Sequence, residues 1–394
     1  KLYITTSIFI LIYTIVSISI YYINLHNDFE YGIIYGDLLG NHFCDEYKYY
    51  TDANILYNHL KNGEFSNWIN RTLPIYEFID SSGHPSYGNY NSYVILLTML
   101  KFIGIHSALD FILIKLFVYI PTALIIYKLS KLYLNEKKAL ITLIIFSALP
   151  GYILSNSLLM RDNIILLLSC IVIYYIFCKK INLLILIPAI ILLIGFRAYL
   201  ILVFAACLVL TFRNNKKLIS KYDLIYVILI LVAIYLIINF NFSLEHSNIF
   251  FSYYQIIDLQ EKFISLYGSG ILGIVKLIIL TLIHIIIDPV LINFLTSGNL
   301  YFILFSLGNI LGSLLSVIFA IKYLLLSIKL FKLSNEKYIF LIKFTAYFTI
   351  LTSFIVMSKD GYIINRIALM WIPLFIIILL IPFNYSYKKE LAIN

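Results

Sequence analysis

Long apolar runs separated by short polar punctuation extend from one end of this 394-residue chain to the other. Residues 1–23, 107–127, 139–157, 163–178, 181–196, 198–212, 223–243, 338–358 and 367–383 read as membrane-crossing helices, most of them near the roughly 20 apolar residues that such a helix needs. Residues 271–321 hold further crossings interrupted at Asp288-Pro289, which brings the expected total to about 10–12. The runs are continuous and do not alternate every second residue, so a membrane barrel is disfavoured. The stretch from Tyr93 to Gly104 is apolar but only about a dozen residues long, too short to cross, and is expected to lie in the membrane plane. The expected fold class is all-α: a polytopic transmembrane helix bundle with a loop on the outer face that contains juxtamembrane helices.

Composition agrees: 62% of residues are hydrophobic and 12% charged, which excludes a soluble globule. The net charge of +9 would suggest nucleic acid if it formed one patch. It is instead divided among short inter-span segments. These hold Lys128, Lys131, Lys137 and Lys138; Lys179 and Lys180; Arg213, Lys216, Lys217 and Lys221; Lys322, Lys329, Lys332 and Lys337; and Lys388 with Lys389. Basic loops of this kind mark the cytoplasmic side, so no nucleic-acid partner is expected. The chain is expected to be an integral protein of a bacterial plasma membrane with both termini inside. Residues 1–23 lack a small-residue cleavage site and are read as a retained span.

The single membrane domain, 1–394, then divides into an outer loop at 24–106, a central bundle at 107–243, a second outer loop at 244–270 and C-terminal spans at 271–394. The 24–106 segment carries nine of the 20 acidic residues and only four Lys or Arg. Cys44 stands alone in that loop and Cys170, Cys178 and Cys207 fall in or beside spans, with no metal-ligand spacing.

Counted this way, a set of charged residues from distant parts of the chain shares the outer face. Asp45 and Glu46 lie in the polar loop Cys44-Asp45-Glu46-Tyr47-Lys48-Tyr49-Tyr50, whose tyrosines would hold it at the interface. A carboxylate partly withdrawn from water there suits general-base work; simple solvated charge is the bland alternative. Arg161 and Asp162 follow Ser155-Asn156-Ser157 between two spans, where Asp162 would favour a helix N-terminus and pair with its neighbour. Arg197 lies in the very short turn Gly195-Phe196-Arg197-Ala198-Tyr199, and Lys359, Asp360 and Arg366 precede the last span. Arginines on the outer face run against the charge rule, and phosphate binding would explain them, because the guanidinium fork matches phosphate oxygens. Snorkelling to the headgroups is the competing reading, and the expected one for Lys115 and Lys276. His84-Pro85 and Tyr87 sit in a turn-rich stretch ahead of the juxtamembrane helix. No phosphate-cradling Gly-rich loop, zinc helix motif or nucleophile elbow is present in the sequence.

This order of features resembles the GT-C superfamily of membrane glycosyltransferases, in particular the branch of dolichyl-phosphate-mannose protein mannosyltransferases and aminoarabinose transferases. The resemblance covers residues 1–200 and, more weakly, 359–375. It rests on Asp45-Glu46-Tyr47-Lys48-Tyr49 with Ala53 and Gly63, on His84-Pro85 and Tyr87, on Phe102-Ile103-Gly104, and on Pro150, Ser155 and Asp162. What it implies is sugar transfer from a polyprenyl-phosphate-linked donor to a glycan, lipid or protein acceptor on the outer face. Asp45 or Glu46 would then act as base with Asp162 as a second acid, and Arg161, Arg197, Lys359, Arg366, His84 and Tyr87 would bind substrate. No cofactor is required, and the acids leave room for a divalent cation. Here Arg161 precedes the second acid, a departure from that pattern. Two other readings fit the same chain: a polysaccharide repeat-unit polymerase using lipid-pyrophosphate donors, and a flippase or transporter whose broken segment at Asp288-Pro289 lines the path.

Overall fold

Most of the described apolar runs fold into helices near their expected limits, though 139–157 and 367–383 are each broken in two, in the computed structural model, which describes residues 1–26, 45–64, 92–178, 180–197, 199–212, 263–286, 300–328, 331–332, 336–360, 365–382 and 384–385. In chain order the helices are α1 (Leu2–His26), α2 (Asp45–Lys61), α3 (Ser92–Phe102), α4 (Ala108–Lys115), α5 (Tyr119–Lys131), α6 (Glu136–Ser147), α7 (Pro150–Ser157) and α8 (Asp162–Phe177). They continue as α9 (Leu183–Arg197), α10 (Tyr199–Phe212), α11 (Gly270–Ile286), α12 (Leu300–Ser327), α13 (Glu336–Asp360), α14 (Asn365–Ala368) and α15 (Ile372–Leu380). A 3₁₀ turn, Leu116–Val118, joins α4 to α5. Beyond the helices, the described residues hold one two-residue antiparallel ladder, Phe331–Lys332 with Asn384–Tyr385.

Local chemistry sets many of the boundaries. Ser107 Oγ accepts from the backbone N–H of Asp110 at the start of α4, and Asn135 Oδ1 accepts from that of Lys138 at the start of α6, both ordinary N-caps. Pro150 cannot donate to the preceding turn and keeps Leu149 extended, so α6 and α7 meet at 61°. The Ser147 carbonyl at this break accepts from the Tyr13 hydroxyl at 2.8 Å. Two glycines end helices in the left-handed conformation. After α3, Gly104 (φ 94°) donates to Lys101 O and Ile105 to Leu100 O; after α2, Gly63 (φ 84°) donates to Leu60 O and Glu64 to His59 O. Both are Schellman caps.

Among the described residues, four helices are long and apolar enough to cross a membrane: α1, the α4–α5 run Ala108–Lys131, α12, and Lys337–Ser358 of α13. The bent α6–α7 pair makes a fifth if it is one span. The chain is therefore a helical integral membrane protein. The other apolar helices, among them α8, α9 and α10, are 10–17 residues long. The expected span at 223–243 and the Asp288-Pro289 break lie outside the described residues, as does most of the second outer loop. The short apolar stretch before Gly104 is the 11-residue α3, as expected. The acidic segment departs from expectation: Asp45 to Tyr50 is the first turn and a half of α2, not a loop.

The two ends of the bundle differ. At one end Lys322 Nζ donates to the carbonyls of Ile378, Leu379 and Ile381 (2.7, 3.0 and 3.2 Å), and Lys138 Nζ donates to Leu380 O (2.9 Å). Two lysines from α12 and α6 thus grip the C-terminal carbonyls of α15, where the helix dipole favours cations. Lys337 Nζ reaches Leu132 O at the same end (3.2 Å). Basic clusters far apart in sequence are gathered here. The bent α6–α7 pair and the α4–α5 run both lead from this end to the other, where Asp162 and Lys115 lie.

Candidate functional site

The site is built where three helices begin. Helices α2 and α3 pack side by side, with Tyr49 against Tyr93 (ring centroids 5.1 Å), Ala53 O near Thr98 Oγ1 (3.5 Å) and Tyr57 against Phe102 (4.9 Å). Residue numbers rise together across these contacts, so the two helices run parallel and both N-termini lie at the same end. Helix α8 starts beside them at Asp162. The positive end of the helix dipole favours negative charge at each of these points.

Glu46 follows the buried face of α2, in line with Tyr49, Ala53 and Leu56 at helical spacing, and is only 3% exposed. Asp45, its neighbour in the first turn, is half-buried. Asp162 opens α8 and is itself buried; its described ion partner is Arg197, at the C-terminus of α9, with Nη2 to Oδ1 3.4 Å. The expected pairing with adjacent Arg161 gives way to a partner 35 residues on, because the chain folds back between α8 and α9. Arg161 instead lays its guanidinium over the Tyr49 ring, 5.7 Å from the centroid, and Arg197 lies 5.9 Å from that of Tyr199. Arg197 closes α9 two residues after Gly195. A Cβ added to Gly195 would lie 2.1 Å from Ser92 Oγ, so α9 passes very close to the start of α3.

Lys115 corrects its sequence reading. It does not snorkel: it is buried, and Nζ donates to the carbonyls of Ser155, Leu158 and Met160, with 3.1 Å to the first and last. Its three donors thereby hold the C-terminus of α7 and the loop that presents Arg161 and Asp162. Glu46 and Asp162 both act electrostatically on Lys115. Behind the loop, Asn163 Nδ2 donates to Asn156 Oδ1 (2.7 Å), and Asn156 Nδ2 to Tyr152 O (2.8 Å), fixing the first turn of α8 to α7. Lys276, also read as snorkelling, donates to Leu266 O (2.9 Å) from an exposed position.

Tyr93 lies in the same cluster. Its phenol is fully buried, and burial, then Tyr49, Glu46 and Asp162, push its pKa well above the usual value, with Arg161 opposing. It is held as the neutral O–H form.

Glu46, Arg161, Asp162 and Arg197, four residues singled out in the sequence, thus meet at one end, with Asp45 at the edge of the group. His84 and Tyr87 lie outside the described residues, as do the side chains of Lys359 and Arg366; the backbone of α14, which contains Arg366, packs against α7. Tyr93 joins the cluster without having been assigned a role, while Lys115, read as snorkelling, and Tyr49, read as an interface anchor, are both buried in it. The only hint of Lys115 was an ammonium inside an apolar run. Among the described residues no three His, Cys, Asp or Glu side chains gather as a metal set. Compared with protein-family models, curated proteins and solved structures, the chain matches none.

Proposed function

We propose that the chain is a GT-C-like membrane glycosyltransferase with about 10–12 spans that moves a sugar from a polyprenyl-phosphate carrier to an acceptor hydroxyl on the outer membrane face. The observation that carries this reading is the meeting of two acids, Glu46 and Asp162, with two guanidinium groups, Arg161 and Arg197, where α2, α3 and α8 begin. In the proposed step, the acceptor oxygen attacks the anomeric carbon as a carboxylate of the first turn of α2 takes its proton. The bond from that carbon to the phosphate oxygen breaks, and the lipid phosphate leaves with the electron pair. Arg161, Arg197 and the three helix N-termini stabilise the charge that grows on the leaving oxygen. Attack opposite the leaving group inverts the anomeric centre. Of the Asp45-Glu46 pair, Glu46 fits the base better, since it is the buried one and acts on both Tyr93 and Lys115. Asp162 orients Arg197 through their ion pair.

Purified protein supplied with a panel of polyprenyl-phosphate sugars and a hydroxyl acceptor is expected to release polyprenyl phosphate. Glu46→Gln should lower the rate by about 10²–10⁴, the usual contribution of a general base. Full activity in both Glu46→Gln and Asp45→Asn would overturn the assignment. Turnover confined to pyrophosphate-linked oligosaccharides would make the enzyme a repeat-unit polymerase, and transport without a covalent product a flippase.

A further inference from the structure

Tyr93 presents an oxygen that the described residues leave unused. It stands in the first turn of α3, 2% exposed, its ring edge-on to Tyr49 and 6.4 Å from that of Phe196. Packing explains the ring but not the oxygen, because the Tyr93 hydroxyl has no hydrogen-bond partner among the described residues. Buried hydroxyls are nearly always bonded, so one left open inside a charged cluster is a place for something that arrives. The chemistry of that visitor follows from the surroundings. The two acids and the burial keep the phenol neutral, so it donates a proton, and its partner must be an acceptor. Arg161 is near it, Arg197 is one residue beyond the ring's neighbour Phe196, and the N-termini of α2, α3 and α8 meet there. An acceptor that these groups would all favour is an anionic oxygen.

We propose that the Tyr93 hydroxyl donates to an oxygen of a phosphate monoester held at this site by Arg161, Arg197 and the helix N-termini. This rests on the reading of the site as a phosphate-lipid site and adds a neutral donor to it. Binding the phosphate supplies a hydrogen bond that the described residues do not. Tyr93 is then a substrate-binding residue whose ring is structural and whose oxygen is not.

Tyr93→Phe separates the two, since it keeps the ring and removes only the hydroxyl. Titrations in detergent would use undecaprenyl phosphate, undecaprenol as the control without phosphate, and inorganic phosphate to separate a lipid headgroup from the free ion. The wild type is expected to bind undecaprenyl phosphate, and Tyr93→Phe to bind it about 5- to 20-fold more weakly, the scale of one lost hydrogen bond. Its melting temperature without ligand should be unchanged or higher, and its undecaprenol binding unchanged. A parallel loss with inorganic phosphate assigns the contact to the phosphate alone; a loss seen only with the lipid means that the chain delivers the headgroup. If Arg197→Gln weakens binding but Tyr93→Phe does not, the Tyr93 contact is overturned while the phosphate-lipid reading stands. A Tyr93→Phe protein that melts lower with unchanged affinity, or fails to fold, makes the hydroxyl structural and overturns the contact equally. A folded wild type that binds neither phosphate probe overturns both.

Discussion

The Asp162–Arg197 ion pair gives the sharpest test of the site as a unit. At 3.4 Å, with side chains only 4% and 11% exposed, solvent screens the two charges little. Coulomb's law at an effective dielectric constant of 20 gives an attraction of about 5 kcal/mol. Withdrawing each ion from water costs several kcal/mol, so the net value of the pair is far smaller than the attraction. Losing one partner is different, because it strands a buried charge. Asp162→Asn and Arg197→Gln should each destabilise the protein by about 3–5 kcal/mol. The double variant should lose less than the sum of the two by about 1–3 kcal/mol. Equilibrium unfolding of all four proteins in one detergent measures this cycle. Losses that add to within about 0.5 kcal/mol would refute the pair as an interacting unit.

Three further outcomes follow from other contacts. Gly195→Ala sets a methyl group 2.1 Å from Ser92 Oγ, which must rotate aside, so it should stay within about 1 kcal/mol of neutral, and adding Ser92→Ala, which removes that Oγ, should let the helix gain show as stabilisation in the same unfolding assay. Burial pushes the Lys101 pKa down to about 8, below its ordinary 10.5. Between those values the unfolded chain binds the extra proton, so stability should rise with pH from about 8 to 10.5, and melting curves of Lys101→Met should lack that rise. In a background with Cys44, Cys170, Cys178 and Cys207 replaced, an impermeant maleimide should label Lys61→Cys from outside and Lys137→Cys only after permeabilisation; labelling of both from one side would refute the two-ended arrangement.

Much of this was legible because helical periodicity, caps and charge are local signals. The described apolar runs became helices, α3 ended just before Gly104, and Asp162 and Arg197 fell at helix termini because polar residues interrupt apolar runs there. The parts that were not legible depend on tertiary direction. Asp45 to Tyr50 reads as a loop, since its polar and aromatic residues lack a strong apolar face; the face is supplied by packing on α3. Lys115 reads as snorkelling, since nothing local shows that the α7–α8 loop will turn three carbonyls toward it. Tyr93 was hidden for the same reason: its neighbours come from α2, α8 and α9, and a parallel α2–α3 pair is invisible in a hydropathy pattern.

The lengths of α8 and α9 carry one more consequence. These helices hold Asp162 and Arg197, and their 16 and 15 residues rise only about 24 and 22 Å. The hydrocarbon core of a bilayer is about 30 Å thick. If both helices reach the basic face at their far ends, the charged cluster lies about 6–8 Å below the opposite surface, unless the bilayer thins to meet it. Acyl-chain length then becomes a control on this protein: thin vesicles lift the cluster toward water, and thick ones sink it deeper among the lipid tails.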